Sequence, residues 1–301
     1  MLLAEALIKQ QRPNEALATL NEILKREPQY LPALRQRAEI LLAQGAYNQA
    51  IQDLRTTLMA TSATADKMVL ANAYLQAKLP QEALGLYQQI VKEDPANLDA
   101  QRNLAGLLVE TGKAKEAIAQ LEALLQAEPN NGLVRAQLAE LYLVTSPEKA
   151  LEQYSAAAKL APENPAHKIG MATALVKLRR FQEAVPLLRG VLDANPKGEI
   201  VYFAHTNLAT ALFELDDFAN AAREFVWILE HAQERKRTTI ALYFLGICFD
   251  KLGDYQQALK AYEQFLALAG EGNQLEVDKI KLRLPSLQRQ IKEGKGIKKK
   301  P

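Results

Sequence analysis

The sequence has few of the residues that disulfide and metal sites require. It holds a single cysteine, Cys248, and three histidines that lie in separate stretches at positions 167, 205 and 231. One cysteine excludes an internal disulfide framework and a site built from several cysteines. No apolar run is long enough to cross a bilayer, and no stretch sustains the apolar–polar alternation of a half-buried strand. The sequence therefore predicts neither a transmembrane segment nor a sheet.

Net charge is also low. The chain of 301 residues has 37 Lys and Arg against 35 Asp and Glu, a formal charge of +2. Such a balance gives no general attraction to nucleic acid or anionic lipid. Apolar residues make up 49% and charged residues 24% of the chain, as in folded proteins. Because Ala, Leu, Gln, Glu and Lys dominate, the composition favours helices.

A small residue recurs every 33 to 37 positions along almost the whole chain. Its occurrences are Ala16, Ala50, Ala83, Ala117, Ala150, Ala184, Ala221 and Ala258. A second small series precedes each of these by about twelve positions: Ala4, Ala38, Ala71, Ala105, Ala139, Ala172, Ala209 and Gly246. A fixed period of this length is the signature of a solenoid of stacked repeats.

Large residues keep the same register as the small ones. One series follows the small residues from Ala4 to Gly246 and consists of Leu7, Leu41, Tyr74, Leu108, Tyr142, Leu175, Leu212 and Phe249. Another series follows the small residues from Ala16 to Ala258 and consists of Leu20, Leu54, Tyr87, Leu121, Tyr154, Leu188, Phe225 and Tyr262. Small residues let two helices approach and large ones fill the space around them. Prolines such as Pro95 and Pro129 close most repeats, since proline cannot continue a helix.

These residues resemble the tetratricopeptide repeat family. The fullest match is FLGICFDKLGDYQQALKAYEQF at 244–265, which combines Gly246, Phe249, Ala258 and Tyr262. The resemblance implies an all-α, α-α superhelix of about eight helix-turn-helix repeats with a C-terminal capping helix. We expect the repeat array to cover 1–270, with its first repeat truncated because Ala4 already stands at the place of Ala105.

The chain end departs from the repeat. Val277, Ile280, Leu284, Leu287 and Ile291 recur at helical spacing. This pattern predicts an amphipathic capping helix over 271–294, kinked or split at Pro285, which covers the last repeat. A basic flexible tail is expected at 295–301. Truncation of the first repeat suggests a piece of a longer protein and an uncovered apolar face that could associate end to end.

Motifs for catalysis are missing from the sequence. It contains no HExxH pair, glycine-rich phosphate loop or Gly-x-Ser-x-Gly elbow. Cys248 stands next to Phe249 on a predicted first helix, so we expect a buried, inert thiol. The sequence thus predicts no catalytic residue, no metal site and no cofactor.

The resemblance implies a ligand groove lined by the first helix of each repeat. The repeat positions that contact ligands in this family correspond here to a set of polar residues, which we take as candidate ligand-binding residues: Arg35, Gln36, Asn72, Arg102, Asn103, Gln137 and Asn207. The amides among them can pair with the backbone of an extended peptide. Their series is interrupted by Val69, Gly170 and Phe244.

Near the C-terminus the same places are apolar or aromatic. The candidates there are Phe213, Tyr243, Phe244 and Ile247, next to Ile240. Exposed apolar patches mark interaction sites. The last two repeats carry extra residues around 196–201 and 233–238, which should lengthen the connecting turns or helix ends. The competing interpretation is that the capping helix or these lengthened turns pack over the apolar side chains.

Taken together, the patterns predict a non-enzymatic protein-interaction scaffold that binds a protein or peptide segment in the groove. The alternative is a substrate-selecting or regulatory arm of a larger enzyme whose catalytic domain lies outside this chain. A nucleic-acid partner is not expected, because the predicted groove mixes acidic and amide residues and has no basic stripe.

Overall fold

The computed structural model describes residues 1–231 and 234–296, except for the side chains of residues 235 and 236. Seventeen α-helices, one short 3₁₀ turn and no strand occur in that part of the chain, which confirms the all-α prediction. The predicted tail at 295–301 lies outside the described residues beyond Gly296.

The chain divides into two compact units, Met1–Pro129 and Asn130–Pro301, called here the N-terminal and C-terminal units. The helices of the N-terminal unit are α1 Leu2–Lys9, α2 Pro13–Arg26, α3 Leu31–Ala43, α4 Tyr47–Thr61, α5 Thr64–Gln76, α6 Pro80–Glu93, α7 Leu98–Glu110 and α8 Ala114–Ala127. The helices of the C-terminal unit are α9 Gly132–Thr145, α10 Pro147–Leu160, α11 Pro165–Lys177, α12 Phe181–Asp193, α13 Glu199–Glu214, α14 Phe218–His231, α15 Arg235–Lys251, α16 Tyr255–Leu268 and α17 Gln274–Lys292.

The two helices of most repeats are joined by a tight left-handed turn. One residue in each has positive φ, such as Gly112 at 72° or Gly253 at 76°. The backbone N–H of the next residue then closes the end of the first helix, as Asp254 N donates to Phe249 O at 2.9 Å. The acceptors of this bond are the large residues of the first series, including Leu7, Tyr74 and Phe249. The turn is a Schellman-type cap.

Close packing of the repeats follows from the small residues. The small series from Ala16 to Ala258 is fully buried in all eight repeats. Each lies on the second helix of its pair, where a larger side chain would hold the helices apart. The spacing of alanines in the sequence therefore marks the contact line inside each helical pair.

Irregularities of the repeat appear where the sequence places them. Ser146 alone separates α9 from α10, so the turn within this repeat is shortened. The extra residues of the last two repeats extend first helices: α13 has 16 residues and α15 has 17, against 13 in α11. Pro186 lies inside α12 and Pro285 inside α17, and both helices continue through the proline.

Helix α17 packs on the last repeat. Ile280 and Leu287 are buried in one cluster with Tyr262 and Phe265 of α16, and Val277 packs against it. Arg283 donates from both Nε and Nη2 to the Asp250 carboxylate of α15, at 2.7 and 2.6 Å. Apolar contact and a bidentate ion pair together fix this terminal helix on α15 and α16.

Ion pairs link neighbouring helices in the N-terminal unit. Arg35 of α3 donates to both carboxylate oxygens of Asp66 on α5, at 3.0 and 2.8 Å, and Thr61 donates to the same group. These hydrogen bonds, the one from Arg35 above all, lower the pKa of Asp66 despite its burial. Arg37 forms a similar fork with Asp53. Buried carboxylates thus hold helices together, Asp66 between successive repeats and Asp53 within one repeat.

Replacing Asp66 by asparagine should destabilise the N-terminal unit by about 1–2 kcal/mol at neutral pH. Because the folded pKa of Asp66 is lowered, its contribution is present above the unfolded pKa of about 3.9 and is lost as pH falls through the folded value. Urea unfolding of both proteins between neutral and acidic pH measures this difference. The exposed Asp99→Asn is the control and should cost less than about 1 kcal/mol. A pH-independent loss for Asp66→Asn would contradict the ion-pair explanation.

Candidate functional site

A groove runs across three first helices of the C-terminal unit. Helix α11 packs directly against both α9 and α13. The groove between them has a volume of ≈ 910 Å³ and is lined mainly by these helices, with Tyr154 and Leu160 from α10. That volume lies within the range of about 300–1,000 Å³ found for ligand sites in proteins.

Two exposed apolar side chains form the walls of the groove. Leu133 on α9 is 70% exposed and Phe203 on α13 is 47% exposed. Both stand six positions before the small residue of their helix, and Ala166 occupies the same place on α11 between them. Since alanine is short, it leaves the space between the two larger side chains open.

Glycine forms the floor. Gly170 on α11 is buried, and a Cβ added to it would lie 2.4 Å from the ring of Tyr154. The aromatic ring therefore occupies the space that any other residue at this place would need. Burial, reinforced by the negative charge of Glu140, raises the pKa of Tyr154 to about 12, so its hydroxyl remains a neutral group at physiological pH.

Polar groups line one edge of the floor. Gln137 and Glu140 project from α9, and Thr173 projects from α11. Asn207 on α13 donates its amide to Thr173 Oγ1 at 3.0 Å. Of the polar residues that the sequence singled out, Gln137 thus lines the groove and Asn207 lies directly behind it.

The other predicted amides lie in the N-terminal unit in varied settings. Gln36 is partly buried, and its Oε1 has no hydrogen-bond partner in the described structure. Asn72 accepts a 2.5 Å hydrogen bond from the hydroxyl of Tyr87. Asn103 is partly buried on α7. The structure does not bring these three into the groove at α11.

The predicted arginines are engaged with neighbouring carboxylates. Arg35 pairs with Asp66, as described above. Arg102 pairs with Asp99 at 2.8 Å and also contacts Glu128 at the end of α8. A ligand that used either guanidinium would compete with an existing intramolecular ion pair.

The predicted aromatic patch is mostly packed against the core. Phe244 stacks on Phe225 with ring centroids 5.6 Å apart and meets Phe213 edge-on at 5.0 Å. Tyr243 and Ile247 pack against the cluster under α17. Ile240, at 44% exposure, remains accessible. The packing interpretation of this patch is therefore favoured over an open interaction surface.

Leu133, Tyr154 and Phe203 were missed as site residues by sequence reasoning. The sequence did distinguish two of them. Leu133 and Phe203 are apolar, whereas the same position of the first helix is Asp99 in the repeat that contains Ala105. No sequence signal pointed to Tyr154, because it belongs to the large residues from Leu20 to Tyr262 that are expected in the core. Its contact with Gly170 also joins successive repeats, which the spacing within one repeat does not predict.

The remaining chemically notable groups lie outside the groove. Cys248 on α15 is fully buried, and burial raises the pKa of its thiol to about 12. His205 approaches Glu224 at 2.5 Å and stacks on Trp227. Within residues 1–231 and 234–296 no three His, Cys, Asp or Glu side chains are grouped to hold a metal, and no helix is long and apolar enough to span a membrane.

Family models match most of the chain. One tetratricopeptide repeat model matches residues 7–71, 74–141 and 146–203, and a second tetratricopeptide repeat model matches residues 206–273. Among curated relatives, tetratricopeptide repeat protein 8 of Caenorhabditis elegans is 22% identical over 229 residues, which are 75% of this chain and 44% of that protein. Tetratricopeptide repeat protein 21B of Mus musculus is 26% identical over 166 residues, 55% of this chain and 12% of that protein. The chain thus spans less than half the length of these relatives.

Solved structures share the fold. A tetratricopeptide repeat protein from Parabacteroides merdae superposes with a TM-score of 0.56 at 15% identity, covering 84% of this chain and 98% of that one. The protein YrrB superposes with a TM-score of 0.53 at 16% identity, covering 62% of this chain and 97% of that one. At these identities the likeness concerns the fold, which agrees with the helical pairs seen here.

Proposed function

We propose that this chain, which belongs to the tetratricopeptide repeat family and is a protein-interaction scaffold, binds an extended segment of a partner protein in the groove across α9, α11 and α13. The observation that carries the proposal is the open space at Ala166 between the exposed side chains of Leu133 and Phe203. Apolar side chains of this size are not left in water over a groove without cost. A partner that covers them would recover that free energy.

The polar groups of the groove suit a peptide backbone. The Gln137 amide offers both a donor and an acceptor, and the Tyr154 hydroxyl offers both on a rigid ring. An extended peptide presents alternating N–H and C=O groups that can pair with such side chains regardless of sequence. Phe203 supplies the aromatic wall against which a side chain of the peptide can pack.

One structural neighbour supports the choice of a peptide. YrrB is described as a tetratricopeptide repeat protein with an unusual peptide-binding site. In our proposal the groove of this chain takes the same class of ligand. The predicted roles of Arg35, Gln36, Asn72, Arg102 and Asn103 remain predictions for a further surface on the N-terminal unit.

Filling the groove should abolish peptide binding. Ala166 is exposed between the two walls, so Ala166→Trp would occupy the groove without disturbing a buried side chain. We expect peptides captured by the wild-type chain from an array of random dodecapeptides to bind at least tenfold more weakly, about 1.4 kcal/mol, to this variant. Fluorescence anisotropy with the captured peptides measures the change.

The matched control is Ala219→Trp, the same substitution at an exposed residue of α14 in the same unit, outside the groove. It should bind as the wild type does. If Ala166→Trp and Ala219→Trp bind every captured peptide equally well, the groove is not the binding site.

A further inference from the structure

The charged residues that line the groove are all acidic. Glu140 and Glu199 contribute carboxylates, and no lysine or arginine is among the lining residues. His167 also lines the groove, but burial lowers the pKa of its ring and so favours the neutral form. The groove thus has negative potential at neutral pH although the chain as a whole carries a formal charge of +2.

The two carboxylates differ in their surroundings. Glu199 lies 3.4 Å from Arg237 Nη1, which partly offsets its charge. Glu140 is exposed and belongs to none of the ion pairs within the described part of the chain. Glu140 and Tyr154 line the same groove, and the negative charge of Glu140 adds to the burial that raises the pKa of Tyr154. Glu140 is therefore an exposed carboxylate that lines the groove without a cationic partner among the described residues.

This arrangement contrasts with the N-terminal unit. There, two carboxylates at the first helices have cationic partners: Asp66 pairs with Arg35, and Lys67 donates to both oxygens of Glu93. Since those charges are compensated inside the protein, a cationic ligand gains less from them. Glu140 has no such internal competitor.

Apolar walls next to an anion fit a long cationic side chain. The aliphatic stem of lysine or arginine can lie along Leu133 and Ile169 while its charged head reaches a carboxylate. Arginine can in addition form two parallel hydrogen bonds to one carboxylate and pack its plane on an aromatic ring. Tyr154 and Phe203 provide such rings in the groove.

We propose that the groove selects peptide segments in which an arginine or lysine stands next to apolar residues, with Glu140 as the acceptor of the cationic head. This inference rests on the proposed peptide-binding function and adds its specificity. Apolar neighbours of the basic residue cover Leu133 and Phe203, and the basic residue itself lies over Gly170. Arginine is preferred over lysine because of its planar, two-pronged geometry.

Three fluorescein-labelled peptides that differ at one residue test the selection: GSLRLSG, GSLQLSG and GSLELSG. With the full wild-type chain, anisotropy titrations at low ionic strength should give a three- to tenfold tighter Kd for the arginine peptide than for the glutamine peptide, and the weakest binding for the glutamate peptide. In Glu140→Gln the ratio between the arginine and glutamine peptides should fall below about twofold. High salt should reduce the wild-type ratio in the same direction.

Glu148→Gln is the matched control, because Glu148 is an exposed residue of α10 that does not line the groove. It should keep the wild-type preference. A preference that survives in Glu140→Gln, equal binding of all three peptides, or binding of none of them overturns this inference. The proposed function is tested separately by the random array and Ala166→Trp, so selectivity can fail while peptide binding in the groove stands.

Discussion

Leu287→Ala is expected to lower the free energy of unfolding of the C-terminal end by about 2–5 kcal/mol. Leu287 has no exposed surface and lies in the cluster that joins α17 to α15 and α16. Removing its side chain leaves a cavity against Tyr262 and Phe265, both on α16. Hydrogen exchange of α17 amides, together with urea unfolding followed by circular dichroism, measures the loss.

The same helix supplies the control. Leu282 is 83% exposed on α17, so Leu282→Ala should change stability by no more than about 0.5 kcal/mol. In repeat proteins stability is a sum of repeat and neighbour terms, so the effect of Leu287→Ala should be largest at α17 and α16 and small in the N-terminal unit. Equal losses for the two leucines would show that α17 does not pack as described.

Gly170→Ala should destabilise the C-terminal unit by about 1–3 kcal/mol. In an open helix the same substitution is stabilising by about 0.5–1 kcal/mol, because glycine is a poor helix former. At Gly170 the new Cβ would lie 2.4 Å from the Tyr154 ring, which must move. The sign of the change is therefore diagnostic, and thermal or urea unfolding reads it directly.

A control and a rescue complete this prediction. Gly190 on α12 has nothing within 4 Å of an added Cβ, so Gly190→Ala should stabilise. Tyr154→Leu combined with Gly170→Ala should recover much of the loss, since leucine occupies the same place in the adjoining repeats as Leu121 and Leu188. Additive losses in the double variant would mean that the ring and the Cβ do not compete for one space.

Much of the fold could be predicted because the residues that pack the helices together recur at a fixed spacing in the sequence. The alanines from Ala16 to Ala258 all prove fully buried, and the large residues from Leu7 to Phe249 accept the bonds that close the turns. Such features depend on residues close together in the chain. The sequence located the extra residues that lengthen α13 and α15 at their N-terminal ends. It could not assign these residues to a turn or to a helix, because either structure accommodates them.

The site was harder to predict because its decisive contacts join residues of different repeats. Arg35 looked available to a ligand, yet it pairs with Asp66, which lies 31 positions away. Gly170 looked like a gap in a series of amides. Its consequence is that the Tyr154 ring of the preceding repeat packs where a side chain would otherwise stand, and that contact depends on how the ring is oriented. Transferring positions from a family pattern names candidate residues, but it does not show which of them are already engaged with other side chains.

The single thiol described above has a practical consequence. Cys248 has no exposed surface, and burial raises its pKa to about 12, so almost no thiolate is present or reachable at neutral pH. Maleimide reagents therefore should leave the native chain unlabelled. One cysteine introduced on the surface, for example at Ala219, would then carry a dye or spin label at a unique address without prior removal of the natural cysteine.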